Sequence, residues 1–205
     1  MMNLINYRNQ KLQPSKVVCI GRNYVAHIEE LNNEVPDQPV IFLKPNSAIS
    51  NQLQINRNEP IHFEAEISFL IIDNQLAAVG VGLDLTKRKT QTILKFKGLP
   101  WERAKAFDGS AVFSDFVDLK SITNNLRLEL EINGQLVQQG RVGLMLNKPI
   151  ELIAEVASFM SFENGDILMT GTPSGVGVIN EGDLFIGKIF DGDSLLVEHK
   201  WVVKS

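Results

Sequence analysis

Two stretches of strict alternation constrain this chain more than any other feature. Leu126, Leu128, Leu130 and Ile132 alternate with Arg127, Glu129 and Glu131, and Asn133-Gly134 follows at once. Period-two alternation puts successive side chains on opposite faces of a strand. Asn-Gly favours the two-residue hairpin turn, whose central positions both need positive φ. The spacing predicts a hairpin over 126–140. The second stretch, 61–72, places Phe63, Ala65, Ile67, Phe69 and Ile71 on one face and His62, Glu64, Glu66 and Ser68 on the other.

Further strands are expected at 17–20, 40–43, 79–85, 167–170, 184–189 and 195–202. Gly80 and Gly82 mark a bulge or close backbone approach within the third strand of that series. Helices are expected at 24–31, at 86–97 with Thr86 as N-cap, and at 149–160 with Pro149 in its first turn. The apolar face of the last is read as Ile150, Ile153, Ala154 and Ala157. Residues 32–39 are polar with two prolines and read as a loop. Strands and helices do not alternate regularly, so the fold class is a strand-rich α+β domain rather than a doubly wound one.

Size and charge narrow the function classes. The 205 residues, 44% of them hydrophobic, suit one core, so a single domain over 1–205 is expected. A net charge of −4, with no Lys/Arg cluster that outweighs it, argues against a nucleic-acid partner. No apolar run is long enough to span a membrane, and the first residues lack the core of a signal peptide. The lone Cys19, inside Val17-Val18-Cys19-Ile20, reads as buried and inert and can form no internal disulfide. A soluble cytoplasmic protein is the expectation.

The candidate chemistry starts from Glu64 and Glu66, which share a strand face, and Asp84 eighteen residues beyond Glu66. Carboxylates held together repel unless a positive charge sits among them. A hard divalent cation such as Mg²⁺, Mn²⁺ or Ca²⁺ prefers such oxygen ligands. A solvated strand face is the competing reading. On helices, His27 and Glu30 fall three apart, as do Arg88 and Gln91, so each pair shares a face. The first could be an imidazole base oriented by a carboxylate, or a surface ion pair. The second could bind a substrate carboxylate, or be a solvated helix face. Lys105 stands in Trp101-Glu102-Arg103-Ala104-Lys105-Ala106-Phe107 and could be a functional ammonium or an exposed lysine.

Taken in order, these pieces resemble the fumarylacetoacetate hydrolase superfamily, and within it the small acylpyruvate hydrolase branch. The resemblance rests on Gly21-Arg22-Asn23-Tyr24 with His27 and Glu30, Phe42-Leu43-Lys44-Pro45, and His62-Phe63-Glu64-Ala65-Glu66. It continues through Leu83-Asp84-Leu85-Thr86-Lys87-Arg88 with Gln91, Lys97-Gly98-Leu99-Pro100-Trp101 with Lys105, and the run from Gly165 to Gly177 containing Gly171-Thr172-Pro173. It implies a mixed β-roll or β-sandwich-like fold and a homodimer. It implies Mg²⁺, or Mn²⁺ or Ca²⁺, on Glu64, Glu66 and Asp84. His27, Glu30 and Lys105 become catalytic candidates, with Arg88, Gln91 and Thr172 on a small 2-oxo-acid substrate. Lys89 and Lys87 depart from the family pattern, standing where an acidic and a small residue are common.

The reaction implied is hydrolysis of an acylpyruvate, a 2,4-dioxo acid, through a metal-stabilised pyruvate enolate. His27, oriented by Glu30, would activate water, and Lys105 would stabilise developing negative charge. The same site logic serves an isomerase or decarboxylase acting on oxaloacetate or an unsaturated dioate. A non-catalytic 2-oxo-acid binder is a third reading.

Overall fold

A computed structural model describes residues 2–31, 34–56 and 58–205. The first part of the chain forms β1 (Ile5–Tyr7), β2 (Gln10–Leu12), β3 (Lys16–Gly21), α1 (Val25–Glu30), β4 (Val40–Pro45) and β5 (Ile49–Ser50). Then come β6 (Ile61–Phe63), β7 (Ala65–Ile72), β8 (Gln75–Asp84), β9 (Thr86–Lys87), α2 (Arg88–Phe96) and α3 (Glu102–Lys105). The remainder is β10 (Ala111–Phe113), β11 (Val117–Asp118), β12 (Leu126–Ile132), β13 (Gln135–Arg141), α4 (Pro149–Ala157), β14 (Ile167–Met169), β15 (Gly177–Val178), β16 (Leu184–Asp191) and β17 (Ser194–Val202). The strand-rich α+β expectation is met. Residues 32 and 33 of the expected loop lie outside the described residues. Among the described residues no helix is long and apolar enough to cross a membrane.

A large mixed sheet runs in the order β4-β3-β14-β7-β8-β10-β5, and β11 also pairs with β8. A four-stranded antiparallel sheet, β13-β12-β16-β17, packs over one face of it. Phe69, Val79 and Val81 there meet Leu128, Phe185, Ile189 and Trp201. Each large apolar side chain buried in that layer contributes about 1.5–3 kcal/mol. The opposite face is covered by the β1–β2 hairpin, through Ile5 and Tyr7 against Val17, Cys19 and Leu70, while α4 packs beside the four-stranded sheet on the first face, against Val18, Ile20 and Leu168. The central strands are thus buried on both faces, which explains why β3 and β14 are unbroken apolar runs.

The 126–140 hairpin forms as its sequence predicts. Asn133 (φ 51°) and Gly134 (φ 80°) take the two left-handed turn positions. The 61–72 stretch does not form one strand. It divides at Glu64, with β6 in a small sheet between β15 and β9 and β7 in the large one. The polar face of β7 is also covered, so Glu66 and Ser68 are buried. Gly82 is where the backbones approach: a Cβ there would lie 2.3 Å from Ser68 Oγ and 2.9 Å from Met169 Cε. The bulge sits elsewhere, at Ala77, where the register slips between Leu70–Ala78 and Ile71–Leu76.

Two helix expectations need correction. Thr86 belongs to β9 and does not cap α2, which starts at Arg88. Its hydroxyl is instead engaged with the Lys105 ammonium and the Asp84 carbonyl. In α4 the buried face is Pro149, Leu152 and Val156, with Ile150 and both alanines exposed. Positions 149, 152, 153 and 156 have the same helical spacing as the expected set, and Leu152 and Val156 bury more apolar area than alanines can.

The starts of β3 and β14 are tied by Asp166, which is fully buried. It accepts the N–H groups of Ser15 (3.0 Å), Lys16 (3.1 Å) and Glu163 (2.9 Å), the Ser15 hydroxyl (2.8 Å), and the Lys16 ammonium. Burial pushes the carboxyl up, but the Lys16 ammonium and the other donors outweigh it and hold it below its ordinary 3.8. A depressed folded-state pKa stabilises the fold above the unfolded value, and that contribution is lost as pH falls below it. Asp166→Asn should therefore lower stability by about 2 kcal/mol at neutral pH. Its deficit against the parent should shrink as pH drops below 3.8. Urea melts across that window read both effects, and equal deficits at every pH would refute the account.

Candidate active site

The division at Glu64 builds the site. Glu64 stands between two sheets, Glu66 follows on β7, and Asp84 closes β8 directly alongside, its N–H donating to the Glu64 carbonyl at 2.8 Å. Ligand-type oxygens of Glu64, Glu66 and Asp84 all lie within 4.8 Å of one another, and all three residues are buried. Three carboxylates so placed require compensating charge.

Lysines and an arginine supply it. The Lys105 ammonium contacts Glu64 Oε2 (2.8 Å), Asp84 Oδ2 (2.6 Å) and Thr86 Oγ1 (2.7 Å). An ammonium has three donors, so Lys105 is saturated here. It is buried, not exposed, at the end of α3. Arg88, at the start of α2, pairs with Glu64 Oε1 and donates to Gln91 Oε1 at 2.7 Å. Lys44, fully buried, lies 2.8 Å from Asp84 Oδ1 and also donates to the Lys105 carbonyl. The Lys44–Asp84 contact is an ion pair without hydrogen-bond alignment, so Asp84 Oδ1 keeps an unfilled acceptor position.

The fields split the carboxylates. Burial would raise Glu64, but the Lys105 and Arg88 cations outweigh it and hold it well below the usual carboxylate range. Glu66 goes the other way: burial, then Asp84 and Glu64, push it well up, against the Gly171 N–H that donates to its Oε2 at 2.6 Å. For Lys105, burial works downwards, but Asp84 and Glu64 raise it.

A hard divalent cation fits this set. The donors are all carboxylate oxygens, they converge, and Asp84 Oδ1 is a buried acceptor without a hydrogen bond.

On the other wall, α1 carries the expected dyad. His27 Nδ1 is 3.1 Å from Glu30 Oε2, and Glu30 Oε1 accepts the Gly175 N–H at 2.9 Å. Gly175 (φ 99°) is required there, since a Cβ would come within 2.0 Å of the Val137 carbonyl. Thr172 is buried in the same turn. Its hydroxyl donates to the Ala65 carbonyl (2.8 Å) and accepts from Gln138 Nε2 (2.8 Å). The turn's amides at Gly171 and Gly175 thus serve Glu66 and Glu30. His27, Glu64, Glu66, Arg88, Gln91, Lys105 and Thr172 line one small cavity of about 40 Å³, beside Asp84. A larger cleft of about 530 Å³ adjoins it, sharing Phe42, Trp101 and Lys105.

The structure therefore brings all nine sequence-derived candidates together, with Arg88 and Gln91 bonded to each other rather than standing apart. Sequence reasoning missed Lys44, Gln138 and Gly175. A lysine inside the apolar run Ile41-Phe42-Leu43-Lys44 was the available signal for the first. Gln138 is a buried amide on a strand that reads from sequence as a simple hairpin arm.

Fold and site together define a hydrolase-family domain built around an acidic, cation-compatible centre. The model of the fumarylacetoacetate (FAA) hydrolase C-terminal family matches residues 16–200, and the chain belongs to that family. It is 39% identical over 199 residues to oxaloacetate tautomerase YcgM of Escherichia coli (strain K12), covering 88% of this chain and 90% of that one. It is 36% identical over 187 residues to a mitochondrial oxaloacetate decarboxylase of Dictyostelium discoideum, covering 82% and 86%. Among solved structures, fumarylpyruvate hydrolase from Pseudomonas aeruginosa in complex with Mn²⁺ and pyruvate superposes with a TM-score of 0.87 at 27% identity, over 99% of this chain and 96% of that one. A crystal structure from Oleispira antarctica does so at 0.93 and 37%, covering 98% and 100%.

Proposed function

We propose that this protein is a divalent-cation-dependent enzyme that interconverts the enol and keto forms of oxaloacetate. The observation that carries the reading is an oriented imidazole facing a buried three-carboxylate centre across one small cavity. Relatives named oxaloacetate tautomerase support it and favour this isomerase reading over the acylpyruvate hydrolysis that the family resemblance first implies.

Interconversion moves one proton between the enol oxygen on C2 and carbon C3. A Mg²⁺ or Mn²⁺ ion held by Glu64, Glu66 and Asp84 would polarise the 2-keto group and stabilise negative charge developing on it. With Nδ1–H directed to Glu30 Oε2, His27 keeps Nε2 free to take or return the C3 proton. Arg88 lines the same cavity, and its guanidinium would meet the substrate carboxylate next to C2. Gln91 fixes the guanidinium. Lys105 holds Glu64 and Asp84 in place and is not a base while all three of its protons are engaged.

Enol oxaloacetate, added to the protein with Mg²⁺ or with chelator, tests the reading. Enol absorbance should decay far faster with Mg²⁺ and protein than in buffer, with no pyruvate in the first phase. Decay at the buffer rate would overturn it. Acylpyruvate hydrolysis is the second reading, favoured by the apolar 530 Å³ cleft beside the site, which would hold an acyl substituent. It requires pyruvate release from acetylpyruvate.

A further inference from the structure

Gln138 is a polar side chain inside an apolar layer. It belongs to β13 of the four-stranded sheet, is buried, and stands opposite the core residue Leu130. Its Oε1 accepts the Ala65 N–H (2.9 Å), and its Nε2 donates to Thr172 Oγ1 (2.8 Å) and to the Pro173 carbonyl (2.9 Å). The Ala65 N–H needs an acceptor and the Pro173 carbonyl a donor, which fixes the way round of the amide. The oxygen and both amide hydrogens are engaged, so the group is satisfied despite its burial.

The partners of Gln138 surround the acidic centre. Ala65 is the residue between Glu64 and Glu66. β14 ends at Met169, opposite Ser68, so its ladder with β7 stops short of Ala65. Side chains continue it: the Thr172 hydroxyl donates to the Ala65 carbonyl at 2.8 Å, and Gln138 takes the Ala65 N–H. The peptide groups before and after Ala65 are therefore both held by side chains, and they set the directions of Glu64 and Glu66. The other two Gln138 bonds go to the turn that runs from Gly171 to Gly175. That turn holds Glu66 through the Gly171 N–H (2.6 Å) and Glu30, the partner of His27, through the Gly175 N–H (2.9 Å). One amide thus ties the carboxylate strand to the turn that carries the dyad.

The backbone is shaped to deliver that amide. Pairing of β12 with β13 passes from Leu130–Gln138 to Glu131–Leu136 and skips Val137, a β-bulge immediately before Gln138. Bulges re-aim the side chains beside them. The bulged residue also seats the turn, since its carbonyl is the atom that a Cβ at Gly175 would strike.

We infer that Gln138 is a positioning residue that sets the acidic centre and the His27–Glu30 dyad at their working separation, acting through Ala65 on one side and the Gly171–Gly175 turn on the other. This role rests on the cation-dependent reading of the centre and extends its machinery to a residue of the second sheet.

Gln138→Met keeps the length of the side chain and loses all three bonds, and Mn²⁺ is the probe. Titration calorimetry should show Mn²⁺ affinity reduced about 10–100-fold, the range for groups that orient metal ligands. The electron paramagnetic resonance spectrum of the bound Mn²⁺ should change, and kcat for oxaloacetate at saturating Mn²⁺ should fall. Leu130→Ala is the control for a merely structural effect. It opens a cavity in the same layer, so it should unfold at lower urea than the parent yet keep the parental Mn²⁺ affinity and spectrum. Gln138→Glu keeps the shape and the acceptor for Ala65 but loses the amide donors to the turn, and its bound Mn²⁺ spectrum should change as well. Parental affinity and spectrum in Gln138→Met, the parental spectrum in Gln138→Glu, or an equal loss in Leu130→Ala would each overturn the inference. A parent that does not bind Mn²⁺ would overturn the cation reading and this role with it. A parent that binds Mn²⁺ but does not turn over oxaloacetate would overturn only the tautomerase reading, and the positioning role, read from Mn²⁺ alone, would stand.

Discussion

Glu64→Gln should remove cation binding and turnover together. Glu64 is the carboxylate on which both Lys105 and Arg88 converge, and these cations keep it ionised throughout the neutral range. The glutamine is isosteric but neutral, and its NH₂ group would face one of those cations. Substituting groups that merely support metal ligands costs 10–100-fold in affinity. Loss of a ligand charge should cost at least about a hundredfold, read by calorimetric titration with Mn²⁺ or Mg²⁺. Turnover at saturating cation should fall by a comparable factor. The same change leaves Lys105 and Arg88 short of one counter-charge. Breaking a buried pair costs about 3–5 kcal/mol, but Asp84 remains 2.6 Å from Lys105 and offsets part of it. A drop of about 2 kcal/mol in chelator is expected, leaving the chain folded. Unchanged cation affinity would remove Glu64 from the metal site.

How much of this was legible in the chain depends on the range of the interactions. The β12–β13 hairpin was readable because alternation and the Asn133-Gly134 turn are local, and nothing distant contradicts them. The His27–Glu30 and Arg88–Gln91 pairs follow from helical spacing alone. The break at Glu64 was hidden because the alternation runs unchanged through it. What divides the strand is pairing with β9 and β15 on one side and with β8 and β14 on the other. Thr86 looked like an N-cap because a polar residue precedes a helical run. Lys105, nineteen residues away, competes for its hydroxyl. Lys105 could be read as an exposed lysine because burial of a cation depends on carboxylates brought from elsewhere by the fold.

His27→Ala should separate the two reactions that an acidic-centre enzyme can perform on oxaloacetate. Moving a proton between C3 and the enol oxygen needs a group that accepts and returns it, and general acid–base catalysis by a placed imidazole contributes about 10²–10⁴-fold. Tautomerisation should fall by that order in His27→Ala. Decarboxylation has no such need: the departing CO₂ leaves its electron pair on C3, and stabilising that charge requires the cation, not an imidazole. Any decarboxylase activity should survive. Glu30→Gln keeps the hydrogen-bond reach to His27 and to the Gly175 N–H but removes the charge that stabilises an imidazolium. Its loss should be smaller, about 10–100-fold by analogy with groups that orient a functional histidine. Cation affinity should be unchanged in both, because neither residue belongs to the carboxylate cluster. That control separates a lost proton carrier from a disturbed centre. Tautomerisation at the parental rate in His27→Ala would exclude the dyad as the proton carrier. Lysine would then be a poor substitute in this geometry, since Lys105 has no proton-accepting pair to offer while it holds Glu64, Asp84 and Thr86.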